Sequence, residues 1–492
     1  MTRHHEVIVV GAGISGIGAV IRLQRRGIGD IVVLEKSDML GGTWRDNTYP
    51  GCACDVPSAL YSYSFAPNTG WSRLFAGQNE IREYIERTAA EHRVHQRVEF
   101  GTELLRADWD EPAHRWRLET SKGTFTANVV IAAAGPWNQP LIPDVPGLAT
   151  FPGKVFHSSR WDHDYDLTGK RVAVVGTGAS AVQFVPEIAP TVGELHLYQR
   201  TAQWVLPKPD ALLPAPVRSA MGRIPGASRA LRRTQYGLME ALGVGFGKPW
   251  ILRIIQQIGR AQLRAQIRCR ELRRDLTPDY TLGCKRLLMS NTYYPALNRS
   301  NVEVHANAVR TVRGSVVIGA DGQERRVDAI IFGTGFHILD MPIAGRIFDG
   351  QGRSLDDHWK GSPQAYLGTT VAGFPNAFLL LGPSLGTGHS SAFMVLEAQL
   401  NYLAAALTAA RAAGWTRMET RPEVQAAFNA EVQEALATTV YNAGGCQSYS
   451  LDVNGRNSFN WPWSTGRMRE RLREFDESAY LTSVDTSEKV AQ

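Results

Sequence analysis

Cysteine is scarce: five residues in 492, at positions 52, 54, 269, 284 and 446, with no spacing that fits a metal site. An odd, scattered set argues against a disulfide-framed secreted domain and gives no sign of a metal site, and it fits a reducing cytoplasm. No apolar run reaches the roughly 18 residues of a membrane-crossing helix, so no membrane span is expected. A strand is predicted to begin by Glu6, which leaves no room for a secretion signal ahead of it. Charge is nearly balanced: 53 Lys and Arg against 47 Asp and Glu, a net charge of +6. Much of the excess lies in residues 217–286, where an Arg-rich helical run admits a nucleic-acid or membrane partner. The flanking motifs favour a solvated face around a pocket for an anionic cofactor, with no nucleic acid involved. With 43% hydrophobic and 20% charged residues, the chain has an ordinary globular composition and is long enough for two or three domains.

Two copies of one nucleotide-binding pattern are present. Glu6-Val-Ile-Val-Val10 reads as a buried parallel strand and runs straight into Gly11-Ala-Gly13-Ile-Ser15-Gly16. Helical periodicity follows over residues 14–26. The glycines permit a tight turn and let backbone N–H groups approach a pyrophosphate at the helix start. The next strand, residues 31–34, ends at Glu35, whose carboxylate can accept from both hydroxyls of an adenosine ribose and repels a 2′-phosphate. This unit is expected to take FAD or NAD. The second copy is Lys170-Arg-Val-Ala-Val-Val175 followed by Gly176-Thr177-Gly178-Ala179-Ser180-Ala181 and a helix. Arg200, before Thr201, stands as far from Gly176 as Glu35 does from Gly11. One fold position thus carries opposite charge in the two units. An Arg there pairs bidentately with a 2′-phosphate, so the second unit is expected to prefer NADPH over NADH, unless Arg200 is an unpartnered surface residue.

Two bound dinucleotides must present their reactive rings to each other. The segment crossing between the units, Phe151-Pro-Gly153-Lys-Val-Phe-His157-Ser-Ser-Arg-Trp161-Asp162, has to set that geometry. In the first unit, Gly41-Gly-Thr43-Trp44 is similar to flavin disulfide reductases, which place a Cys-x4-Cys pair immediately afterwards. Here Trp44 follows, and Cys52-x-Cys54 has the wrong spacing for that pair. Tyr61-Ser-Tyr63-Ser-Phe65 offers aromatic walls, and Asp55 either caps a turn or pairs with a distant cation. Residues 80–95 are predicted helical and 98–109 a single strand. Residues 207–280 form a Pro-opened, Arg-rich helical insertion that either covers the second unit or walls a pocket. The chain then passes Gly283-Cys284-Lys285-Arg286 and a strand ending in Gly333-Thr-Gly-Phe336.

Taken together, the two glycine motifs, the pattern Phe-x-Gly-x-x-x-His-x-x-x-Trp-Asp at 151–162, Gly283–Arg286 and Gly333–Phe336 make the chain resemble a type I Baeyer–Villiger monooxygenase. The resemblance spans about residues 6–475. N-hydroxylating and flavin-containing monooxygenases are similar but usually lack the Trp-Asp ending. The resemblance implies FAD and NADPH as cofactors, and a ketone and O2 as substrates. NADPH reduces the flavin, O2 adds at C4a, and the resulting peroxide attacks the ketone carbonyl to give an ester or lactone. Such chemistry needs a fixed cation in a dry site. The resemblance assigns that cation to Arg286, oriented by Asp55. It places Gly11, Gly13, Ser15, Gly16, Glu35, Thr43, Trp44, Asp55, Tyr61 and the backbone of Leu104 on FAD. On NADP it places residues Gly176, Thr177, Gly178, Ala179, Ser180 and Ala181, then Arg200, Thr201, Lys285, Arg286 and Tyr449. Phe151, Gly153, His157, Trp161 and Asp162 are the linker fingerprint, with His157 and Trp161 bracing it. Tyr449 departs from the family pattern, which often has Trp there. His389, in the small-residue loop 382–391, is either a substrate contact or a plain loop histidine.

The expected fold is α/β, with two Rossmann-like dinucleotide-binding domains and a helical insertion in the NADPH domain. Residues 1–140 are read as the first part of the FAD domain, 141–333 as the NADPH domain and 334–492 as the second part of the FAD domain with a C-terminal loop region. A heteroatom hydroxylase is the alternative activity, and an NADPH-dependent flavoprotein reductase a more distant one. Composition reveals neither which ketone is used nor the oligomeric state.

Overall fold

Two sheets carry the two glycine turns in the computed structural model, which describes residues 2–484. In the first, Arg3–Val10 lies between Ile31–Glu35 and Gly123–Ala132, parallel to both. Val7, Ile8 and Val9 are fully buried, because elements pack on both faces of this central strand. Outward from there the sheet adds Val98–Phe100 on one side, and Arg115–Thr120, Leu104–Asp110 and Ile347–Phe348 on the other. Ala377–Leu379 joins it against Val130, Ile131 and Ala132. Strands from beyond residue 340 therefore complete the sheet that the N-terminus begins. The single strand expected over 98–109 is two, because Gly101 turns at φ +61° and Thr102 N–H donates to Glu35 O at 2.8 Å.

The second sheet is wholly parallel, in the order Val302–His305, Glu194–Tyr198, Arg171–Val175, Ala329–Phe332, Lys154–His157. The linker fingerprint thus supplies an edge strand of this sheet. Pairing of Phe332 with His157 sets the fingerprint histidine at the carboxyl end, level with Val175 and Tyr198. Ligands of open α/β sheets bind at that end. Gly153 admits no side chain, since a Cβ there would lie 2.2 Å from Asp328 O. Trp161 packs between Phe156 and Phe184, with ring centroids 5.3 and 5.2 Å away, and Asp162 takes Lys154 Nζ at 3.0 Å. Phe151 is buried against the same sheet.

The insertion covers the second unit, one of the two roles left open by the sequence, and also reaches a loop of the C-terminal part. Leu263 and Ile267, in and just after helix Pro249–Gln266, pack into the second sheet's core. Ala227–Gly247 crosses to the loop 382–391, where Glu240 pairs with His389 at 3.5 Å. Thr465 Oγ1 also lies 3.4 Å from His389 Nε2, so His389 braces the insertion. The solvated face expected for the basic run is partly apolar, with Trp250, Ile254 and Ile258 exposed at one-turn spacing.

Two expectations from composition are corrected. Helix Ala392–Ala413 is long and apolar enough to cross a membrane by length and composition, with 67% of that stretch buried inside the protein. It packs in the core with helix Ile14–Gln24 and Thr465–Arg471. Cys284 and Cys446, 162 residues apart, are joined in a disulfide, which leaves Cys52, Cys54 and Cys269 free. Linear spacing could not reveal that pair, because only the docking of the C-terminal segment brings it together.

Candidate active site

Glu35 ends its strand almost completely buried, aimed at the first glycine turn. Its Oε2 accepts from Ala12 N–H at 2.8 Å and its Oε1 from Ser37 N–H at 2.9 Å, with Arg45 Nη1 at 3.1 Å. Gly11 turns at φ +108°, and a Cβ at Gly16 would lie 1.9 Å from Gly11 O, so neither position tolerates a side chain. Helix Ile14–Gln24 starts at Gly13 without a side-chain cap, which leaves its first amides for an anion. Ser15 is buried in that first turn. Thr43 opens the short helix Thr43–Asp46, and Trp44 Nε1 donates to Tyr61 OH at 3.0 Å. These features fit an adenosine diphosphate. Leu104 is buried two residues beyond Thr102, and its carbonyl accepts from Arg346.

The second turn repeats the arrangement. Gly176 has φ +100°, and a Cβ there would lie 2.6 Å from Gly333 O. Gly178 precedes helix Ala179–Ile188, again with no side-chain cap, and Ala181 is buried against Gly333. Thr177 Oγ1 donates to Thr201 O at 3.4 Å, tying the turn to the end of the next strand. Arg200 is exposed there. Lys285, from the loop after the insertion, meets it: desolvation and the Arg200 charge push the lysine below its ordinary range. Asp279 partly offsets this, so two cations share this end of the sheet with one carboxylate in electrostatic reach.

Between the two units lies a paired charge. Arg286 Nη2 donates to Asp55 Oδ2 at 3.3 Å across 231 residues of sequence, with 41% of the arginine side chain exposed and 10% of the aspartate. Desolvation opposes the guanidinium charge, and Asp55, helped by Tyr449, more than offsets it, so Arg286 is held above its ordinary range. Asp55 is in turn held by Gln183, whose Nε2 donates to Asp55 Oδ1 at 3.1 Å and to Ala53 O at 3.0 Å. Gln183 Oε1 accepts from Tyr49 OH at 2.9 Å and Ala53 N–H at 3.2 Å. This glutamine belongs to the helix of the second glycine turn, so one side chain joins both units at the carboxylate. The sequence reading missed it. Its register in that helix, two residues beyond Ala181, was the available signal.

Also missed was an aromatic cluster around Tyr449. Trp137 meets Phe336, Tyr449 and Phe459 edge-on, with centroids 6.1, 6.1 and 6.2 Å away. Tyr449 remains 40% exposed on this cluster. Burial raises its phenol and the Arg286 charge works against that, which places the ring within electrostatic reach of the guanidinium. His157 approaches from the linker, 5.5 Å from the Phe336 ring.

Residues 8–214 match the family described as pyridine nucleotide-disulphide oxidoreductase. A Baeyer–Villiger monooxygenase of Streptomyces coelicolor is 49% identical over 97% of this chain and 92% of its own length. The chain belongs to the Baeyer–Villiger monooxygenases. Another, from Pseudomonas aeruginosa, is 46% identical over 97% of the chain and 91% of its own length. Among solved structures, an oxidized steroid monooxygenase bound to NADP is similar at a TM-score of 0.86 and 28% identity, covering 98% of this chain and 100% of that one. A cyclohexanone monooxygenase from Rhodococcus sp. Phi1 bound to NADP+ gives 0.87 and 26%, covering 99% and 100%.

In this Baeyer–Villiger monooxygenase the match to a disulphide oxidoreductase family carries fold without dithiol chemistry. Burial pushes the thiols of Cys52 and Cys54 up to about 12 each, far from the thiolate that disulfide exchange requires. Replacing Gln183 with Leu should leave both thiols and the fold in place but free Asp55 to swing. The expected result is a ketone-dependent pH profile shifted by about one unit and more NADPH consumed per ester formed, with Gln183→Asn giving partial rescue. An unchanged profile and ratio would remove Gln183 from the site.

His157 adds a pH signature to stability. Burial lowers it to about 4, and its Nε2 has no hydrogen-bond partner among the described residues. Unfolded, it protonates near pH 6.5, so the contribution is complete above that pH and is lost as pH falls through 4. In urea melts, His157→Gln is expected to flatten the loss between pH 7 and 4 by up to about 3 kcal/mol. Parallel curves for both proteins would contradict this.

Proposed function

We propose that the chain oxidises ketones to esters or lactones with FAD, NADPH and O2, the last two consumed in each turnover. The observation that carries this reading is Arg286, an always-charged guanidinium held by Asp55 between the two glycine turns. FAD, when bound, supplies the redox chemistry that activates O2. The chain supplies the rest. Glu35 takes the FAD adenosine ribose, and the turn Gly11–Gly16 takes the pyrophosphate. Ser15, Thr43, Trp44 and Tyr61 line the path from there toward Asp55, and the Leu104 backbone faces adenine. Arg200, Thr201 and Lys285 hold the 2′-phosphate of NADPH, and the turn Gly176–Ala181 holds its pyrophosphate. Arg286 keeps a positive charge facing the reacting oxygen, where a partly dry cleft strengthens it. Asp55 orients that charge, and Tyr449 closes the nicotinamide side with the aromatic cluster of Trp137, Phe336 and Phe459.

We place the enzyme in the cytoplasm, where NADPH is supplied. The same reading divides the chain into 1–140 and 334–492 for FAD and 141–333 for NADPH; residues 1 and 485–492 lie outside the described residues. The test is product analysis by mass spectrometry with a ketone panel and a sulfide offered side by side. Ester formation with NADPH supports the proposal. Sulfoxide as the sole product would favour a heteroatom hydroxylase, and NADPH oxidation without any oxygenated product a reductase.

A further inference from the structure

The disulfide Cys284–Cys446 has no place in the chemistry described so far, yet it joins the two loops that face the nicotinamide side. Cys284 immediately precedes Lys285 and Arg286, and Cys446 lies three residues before Tyr449. The two loops already touch: Thr281 N–H donates to Gly444 O at 2.9 Å, and a Cβ at Gly444 would lie 2.6 Å from the Cys284 Cβ. Gly283 is equally enclosed, a Cβ there meeting Leu252 at 2.7 Å and Val440 at 3.2 Å. The bond carries this anchorage from Gly444 on to Cys446, on the near side of Tyr449, while the bridge Leu451–Asn457 holds the chain on the far side. Three residues of extended chain span about 10 Å, so the anchored strap can move Tyr449 only a short way from Arg286.

We propose that Cys284 and Cys446 are positioning residues, a crosslink that holds the Tyr449 strap over the nicotinamide side and whose reduction loosens NADPH. The proposal rests on the reading of Lys285, Arg286 and Tyr449 as NADP-facing groups. Closing the bond removes two protons and two electrons from two thiols, and a small soluble disulfide takes both and becomes two thiols. A dithiol reductant runs the exchange in reverse. Attack falls on Cys446, whose residue is half-buried, while Cys284 is 2% exposed and departs as the thiolate.

The experiment has a chemical arm and a kinetic one. Denatured without reductant, the holoenzyme should alkylate at only Cys52, Cys54 and Cys269, and a peptide map should contain the 284–446 pair; after reduction all five cysteines should react. The apparent KM for NADPH, read from flavin bleaching without ketone, should rise about fivefold on reduction with little change in maximal rate, as for a strap closed about a fifth of the time. Adding a small disulfide should restore the wild type, while Cys446→Ser should stay at the raised value under both conditions. Five reactive thiols in the unreduced protein, or one KM in both redox states, would overturn the proposal. Should Cys446→Ser not retain flavin, the wild-type comparison alone decides. Loss of ester formation in every redox state, with the crosslink present, would instead sink the ketone-oxidation reading.

Discussion

Arg286→Ala is expected to reduce ester formation by about 10²- to 10³-fold while FAD still binds, because a preorganised charge at a reacting oxygen is worth about 3–4 kcal/mol in the transition state. The structure adds a reason for the size of the effect. Asp55 is largely buried, and without its partner it would put an uncompensated carboxylate where the guanidinium had been. The variant therefore changes the sign of the local charge as well as its amount. Arg286→Lys restores the charge but loses the planar fork, so it should recover only part of the rate. Asp55→Ala leaves the cation in place but unoriented, and should lie between the two. The measurements are ester formed per minute and flavin absorbance of the purified variants. An Arg286→Ala enzyme that makes ester at the wild-type rate would remove the assigned role.

Arg200→Ala should raise the KM for NADPH by about 30- to 100-fold and leave that for NADH within about twofold, since removing one partner of a charge-assisted phosphate contact costs about 2–3 kcal/mol. Its neighbour sharpens the expectation. Lys285 is pushed below its ordinary range by desolvation and by the Arg200 charge together, so the alanine variant leaves a lysine whose ammonium is easier to keep. Some phosphate affinity survives on Lys285, and the double variant should lose the preference for NADPH over NADH altogether. Equal effects on the two cofactors would place the 2′-phosphate elsewhere. The comparison is internal to one enzyme, so a general loss of stability cannot imitate it.

Some parts of this enzyme were legible because they are local. A buried strand, a glycine turn and a helix are each set by neighbouring residues, and the acid or base at the end of the next strand follows at a constant offset. Glu35 and Arg200 could therefore be read with their opposite charges before any fold was known. The split of 98–109 at Gly101 escaped, because its turn is held by Glu35 O, from another strand. The sequence marked the insertion as helical and Arg-rich, but it could not say that Trp250, Ile254 and Ile258 face outward. That depends on which side of the helix the rest of the protein occupies.

The sequence by itself determined two glycine turns, the opposite charges that follow them and the linker fingerprint, since each is written in a continuous stretch whose conformation is chosen by sterics and hydrogen bonds within about thirty residues. Only the tertiary structure decided that Gln183 grips Asp55 from the other unit, that Trp137, Phe336, Phe459 and Tyr449 converge, and that Cys284 meets Cys446. Each of these unites residues more than a hundred positions apart. Their meeting follows from how two separately folded sheets dock and how the C-terminal segment returns across them, which packing of the whole chain settles and no local pattern encodes.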